Sequence, residues 1–105
     1  MIVVTTETIP GMEIDRALGV VTGNTVQAKH IGKDIVGGLR GIVGGKMKEY
    51  EEMFQESRDI AEKEMVEKAD KMGADAIVNI RYSSSSIMNG SSEILVYGTA
   101  VKLKS

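Results

Sequence analysis

One segment constrains the fold of this chain more than any other. Between Lys46 and Met72, the residues Met47, Tyr50, Phe54, Ala61, Met65, Ala69 and Met72 recur three, four or seven positions apart. That spacing draws a single apolar stripe down a helix. Fifteen of the 27 residues in the segment are charged. Asp59–Lys63, Glu64–Lys68 and Glu67–Lys71 stand at the i,i+4 spacing that supports a solvated face. Gly73 follows the last periodic residue, where a left-handed C-cap belongs. No second segment has this character, so the chain must build everything else from strands around one helix.

The strands follow from the remaining patterns. Ile2–Thr5 is a short β-branched run, and Pro10-Gly11 turns the chain. Residues 13–28 are strand-like, with a centre, Ala17-Leu18-Gly19-Val20-Val21, that is apolar without alternation and so predicts burial on both sheet faces. Ala74–Tyr82 and Ser92–Leu103 flank Asn89-Gly90, a type I′ hairpin signal. Residues 29–45 carry six glycines and are read as a loop with one or two helical turns. No repeat, linker or second domain is visible, so residues 1–105 form one α+β domain.

Face counting points to self-association. Ile94, Val96, Gly98 and Ala100 point to one side of the last strand, and Leu95, Tyr97, Thr99, Val101 and Leu103 to the other. In the strand before it, Ala76, Val78 and Ile80 oppose Ile77 and Asn79. One helix covers one face, so a partner is expected on the second, and identical copies are the simplest partner. A helix of about 40 Å also exceeds a typical strand of roughly 17–20 Å, which predicts an overhang.

Composition closes off several functions. The chain has no cysteine, which removes disulfides, thiolate metal sites and a cysteine nucleophile, and favours the cytoplasm. Met1–Glu7 lacks the basic and apolar regions of a signal peptide, and no apolar run approaches the length of a bilayer span. A net charge of −2 argues against nucleic acid as a partner.

Four local features were weighed as sites. The first is the glycine-rich run ending in Gly44-Gly45-Lys46. Residues 29–48 carry Lys29, Lys33, Arg40, Lys46 and Lys48 against Asp34 alone, ahead of a helix N-terminus. Arg40, Lys46, Gly44 and Gly45 are therefore the candidate ligand or anion contacts. Arg40 stands where a phosphate-binding P-loop needs glycine, and Met47 where it needs serine or threonine. Gly37, Gly41 and Gly45 recur every fourth residue, which favours close packing at a subunit contact over anion binding. The second is His30 with Asp34, two possible metal ligands where a tight site needs three or four. The third is the acidic surface of Glu49, Glu51, Glu52 and Glu56, which lacks the spacing of a calcium loop. The fourth is Ser83–Ser86, which has no base within reach in sequence. No catalytic constellation emerges, so the chain is expected not to be an enzyme.

Taken together, Gly19-Val20-Val21-Thr22-Gly23, Gly38-Leu39-Arg40 with Ile42-Val43-Gly44-Gly45, Tyr50, Gly73-Ala74-Asp75-Ala76 and Gly98-Thr99-Ala100-Val101 resemble the YbjQ-like family, a widespread bacterial family. The likeness runs essentially the whole chain. It implies a dodecin-like β-α-β-β subunit, a small antiparallel sheet on one long helix with an extra short N-terminal strand. It also implies a ring-like pentamer whose assembly Ile2–Thr5 would assist. The family often carries the label "putative heavy-metal-binding", to which this chain brings only His30, Asp34 and carboxylates. A flavin, suggested by the dodecin-like fold, is disfavoured because no Trp is present and Tyr50, Phe54, Tyr82 and Tyr97 are weaker stacking partners. No cofactor can be named from the sequence. The expectation is a cytoplasmic homo-oligomer holding a small ligand or anion at subunit contacts, with metal binding as the alternative.

Overall fold

The structure is a computed structural model that describes residues 1–27, 48–88 and 91–105. Four strands and one helix follow in the order β1 (Ile2–Val3), β2 (Ile14–Gln27), α1 (Lys48–Lys71), β3 (Ala76–Met88) and β4 (Ser91–Leu103). The strands form one sheet in the order β1-β3-β4-β2. β4 runs antiparallel to both β2 and β3, and β1 lies parallel to β3 with Ile2 opposite Ala76. This is the expected α+β subunit, with the short N-terminal strand making the sheet mixed. Asn89-Gly90 lies outside the described residues.

The helix seats on β2 and β4 rather than on β3. Ala61, Met65 and Ala69 of its stripe are fully buried, against Val21, Val96, Ala100 and Ile77. The missing step in the periodic pattern is Ser57, also fully buried. Its hydroxyl donates to the Met53 carbonyl oxygen at 3.0 Å, and its own carbonyl oxygen accepts from the Thr25 hydroxyl at 3.0 Å. A small polar residue whose hydrogen bonds are satisfied locally does not interrupt an apolar stripe. Small residues here let the backbones close up. At Gly23 a Cβ would overlap the Ala61 carbonyl oxygen and stand 2.8 Å from the Met65 nitrogen. The helix ends in a Schellman motif: the Ala74 amide donates to the Ala69 carbonyl and the Gly73 amide to the Asp70 carbonyl, with Gly73 at φ 82°. Glu64–Lys68 closes as an ion pair at 3.1 Å.

Beyond the cap, Asp75 fastens β3 to the end of β4. Its carboxylate accepts from the Leu103 amide at 2.9 Å and from Lys102 Nζ at 3.3 Å. The Leu103 amide holds the Asp75 carboxyl below the ordinary carboxylate value, against the opposing effect of desolvation and with help from Lys102.

Three expectations change. First, the strands are long. At roughly 3.3 Å per residue, the 13 residues of β4 span about 43 Å. The 24 residues of α1 span about 36 Å. The helix therefore does not overhang, and the molecule is a slab of 55 × 25 × 16 Å. Second, bulges reassign faces. A shift between Val78 and Arg81, with Asn79 at φ 59°, turns Ile80 to the helix side alongside Ile77. Another, between Ala17 and Gly19, brings Leu18 to that side too. Third, burial on both faces of the β2 centre is not reached within one chain, because Val20 on the far face is 73% exposed.

That far face is nevertheless not bare. At one end the N-terminal segment folds over it. Ile9 is buried there with Ala76, Val78 and Val101, flanked by Ile2, Val4, Ile14 and Leu103. The segment is tied to β3 by the Val4 amide to Ile77, the Asn79 amide to Thr6 and the Ile80 amide to Val4. Arg81 Nη1 also donates to the Thr5 carbonyl at 2.9 Å. A turn over Ile9–Met12, closed by the Met12 amide on the Ile9 carbonyl, then sends the chain into β2. Pro10 pre-sets its first central residue, and Gly11 at φ 81° takes the second, as a type II turn requires.

Gly23→Ala is expected to destabilise the chain by about 1–3 kcal/mol or more, since the added methyl meets helix backbone that cannot rotate away. Gly11→Ala has open space and bears only the left-handed strain, about 1 kcal/mol. Urea unfolding of the two variants should rank them in that order.

Candidate functional site

Two of the four features read from the sequence, the acidic surface and Ser83–Ser86, fall among the described residues. Arg40, Lys46, Gly44 and Gly45, the candidate anion contacts, lie outside the described residues, as do His30 and Asp34, the candidate metal ligands. The acidic surface is present. Glu51, Glu52, Glu56 and Asp59 flank a wide depression with Gln55 and Arg58, all contributed by α1 alone. Among the described residues no group of three or more histidine, cysteine, aspartate or glutamate side chains is placed to hold a metal ion.

A second concavity, of about 370 Å³, joins three elements. Phe54 and Arg58 enter from the N-terminal half of α1, Ser84, Ser85 and Ser86 from β3, and Ser92 and Ile94 from β4. It exists because α1 lies along β2 and β4 and leaves the far end of β3 uncovered. Register places the hydroxyls. Ser84 pairs with Ile94 and Ser86 with Ser92. Directly paired residues of antiparallel strands share a face, so all four lie on the helix side with buried Ile94 as floor. Ser86 reaches Ser92 only through the shift between Ser86 and Met88. The serine run was therefore visible in the sequence, but its alignment with Phe54 and Arg58 was not. The nearest signal was Asn89-Gly90, which fixes strand pairing to within that one-residue shift.

The electrostatics of the groove are simple. Among the described residues of its lining, Arg58 is the only ionised side chain, and one of its nitrogens donates to Gln55 Oε1 at 3.0 Å. Tyr82 precedes Ser84 by two residues on the same face, opposite Val96. Burial pushes its phenol above the ordinary value of 10.0, Glu62 and then Asp59 push it further, and Arg58 opposes them. The phenol is thus a neutral hydrogen-bond donor at physiological pH.

A second surface of note lies on the opposite side of the sheet. Beyond the reach of the N-terminal segment, β2 and β4 present Val20 beside Thr99, Thr22 beside Tyr97, Asn24 beside Leu95 and Val26 beside Glu93. Val20 is 73% exposed, Val26 55% and Tyr97 40%. β2 is also an edge strand of the sheet.

A family model described as "Putative heavy-metal-binding" matches residues 1–104. The chain belongs to the YbjQ-like family. Relatives include a UPF0145 protein of Colwellia psychrerythraea, 61% identical over 104 residues and covering 99% of each chain. Another, from Methanosarcina acetivorans, is 56% identical over 103 residues, covering 98% of this chain and 97% of its own. A third, from Thermus thermophilus, is 51% identical over 104 residues, covering 99% and 91%. A crystal structure of a protein of unknown function from the DUF74 family, from Pediococcus pentosaceus, superposes with a TM-score of 0.65 at 19% identity, covering 99% of this chain and 98% of that one. That likeness supports the fold. The YbjQ-like description names a heavy metal, and the described residues do not fit one: the chain has no cysteine, and their carboxylates converge on no common point. No described helix is long and apolar enough to cross a membrane.

An ultraviolet absorbance titration should show one tyrosine ionising above pH 10.0, and Tyr82→Phe should remove that step. Glu62→Gln should bring it only part of the way down, because burial is the larger cause. A titration unchanged in Tyr82→Phe would assign the effect elsewhere.

Proposed function

We propose that this YbjQ-like chain is a non-enzymatic binding module of the cytoplasm that works as a homo-oligomer, a pentamer on the family resemblance, and holds a small ligand or anion near subunit contacts. The observation that carries the reading is the outer face of β2 and β4. Val20 and Val26 on the edge strand β2, with Leu95 and Tyr97 beside them on β4, form an apolar strip of the kind a partner covers. Its own N-terminal segment covers the other end of the same face, so the strip is the remainder. A second copy meets both needs at once, apolar cover and edge pairing, without requiring another gene product.

The binding half of the reading rests on the lining of the groove, whose described residues offer donors and an apolar floor and bring together no general base, nucleophile pair or metal cluster. Metal handling is the second reading, and it rests on the family description alone. Light scattering behind a sizing column at micromolar protein should give about five times 11.3 kDa. A stable monomer would overturn the assembly and leave the groove to be judged separately.

A further inference from the structure

The groove between α1 and the ends of β3 and β4 has a chemistry of its own. Among the described residues its lining contains one cation, Arg58, four serines and no carboxylate. Serine hydroxyls donate as readily as they accept, and a guanidinium only donates. The polar side of the groove is therefore dominated by donors around a single positive charge. Phe54 and Ile94 make the other side apolar. The volume of about 370 Å³ lies within the range of small-ligand clefts, roughly 300–1,000 Å³.

We infer that this groove binds a small organic oxyanion, a phosphate monoester or carboxylate bearing an aromatic or short apolar group. Arg58 takes the oxyanion in a charge-assisted hydrogen bond. Ser84, Ser86 and Ser92 complete its hydrogen bonds, and the apolar group lies between Phe54 and Ile94. The proton on Tyr82 keeps a further negative charge off the neighbouring stretch of β3. The inference rests on the reading of the chain as a binding module and names the site and ligand class.

Three features separate this groove from the larger acidic depression beside it. Its lining comes from three elements rather than one helix, it contains no carboxylate, and it joins an apolar wall to a polar one. The acidic side chains of that depression lie on the other flank of Arg58 and set the selectivity. They disfavour an anion carrying several charges, so a singly or doubly charged head on an apolar body is the species that fits.

The test is a titration of the full-length, isotopically labelled chain with phenyl phosphate, phenylacetate and inorganic phosphate, followed by amide chemical shifts. Phenyl phosphate or phenylacetate should move the amides of Ser84–Ser86, Ser92, Ile94 and Arg58. Inorganic phosphate should bind more weakly by roughly tenfold, since it leaves the apolar wall unused. Arg58→Gln should weaken binding of the better ligand by roughly tenfold or more. Ser84→Val, at an exposed strand position that favours β-branching, should weaken it by filling the groove while leaving the fold and the light-scattering mass unchanged. Shifts that map elsewhere, an Arg58→Gln variant that binds like the parent, or no shift at about 10 mM of either organic probe would each overturn the inference. A mass showing a monomer that still binds in the groove would instead overturn the assembly reading alone.

Discussion

The contact on which the rest of the structure depends is the approach of α1 to β2 at Gly23. No side chain separates the strand from the helix backbone there, because glycine faces the Ala61 carbonyl. Thr25 then hydrogen-bonds the Ser57 carbonyl one helical turn away. With the helix pinned to β2 by small residues, its larger apolar side chains fall over β4, where Met65 meets Val96 and Ala100. β4 is the central strand beneath it, and the far half of β3 is left open. The groove follows from that offset. A bulkier residue at position 23 would lift the helix and change both the core and the groove.

The second consequence concerns the far face. One helix covers one side of a sheet, and this chain meets the shortage with its own first twelve residues. Ile9 and Val4 pack over Val78 and Val101, and a Pro10-Gly11 turn feeds the chain back into β2. Arg81 and Asn79 hold the segment where β3 bulges. The cover ends where the turn ends, so Val20, Tyr97 and Val26 stand beyond it. The family description names a heavy metal, and among the described residues no group of three or more histidine, cysteine, aspartate or glutamate side chains is placed to hold one.

How much of this was legible depends on what each feature obeys. The helix, its cap at Gly73 and the turn at Pro10-Gly11 obey local rules, and the sequence shows them within a residue or two. The side assignment of β4 was equally plain, because Ile94, Val96, Gly98 and Ala100 alternate without interruption. β3 departs from its expected alternation where a bulge resets it: Ile80 changes sides through Asn79, and no local pattern marks a bulge in advance. β3 runs on past the expected Tyr82 to Met88 for a related reason. Ser83–Ser86 lacks the β-branched residues that announce a strand, and its pairing with β4 overrides that weak preference. The groove needed all of this at once: the strand extension, the shift beside Met88 and the lateral offset of the helix. Phe54 was legible as a stripe residue, while Arg58 looked like one more solvated charge.

We propose that the exposed strip on β2 and β4 is where copies of the chain meet. Val20→Glu tests it most directly, because Val20 is 73% exposed in the single chain and contributes little to its core. A charge there should leave the helical circular dichroism intact while sedimentation shows the assembly falling toward the monomer mass, since burying an unpaired carboxylate at an interface costs several kcal/mol. An assembly of unchanged mass in the folded variant would contradict the claim and send the search for the interface elsewhere.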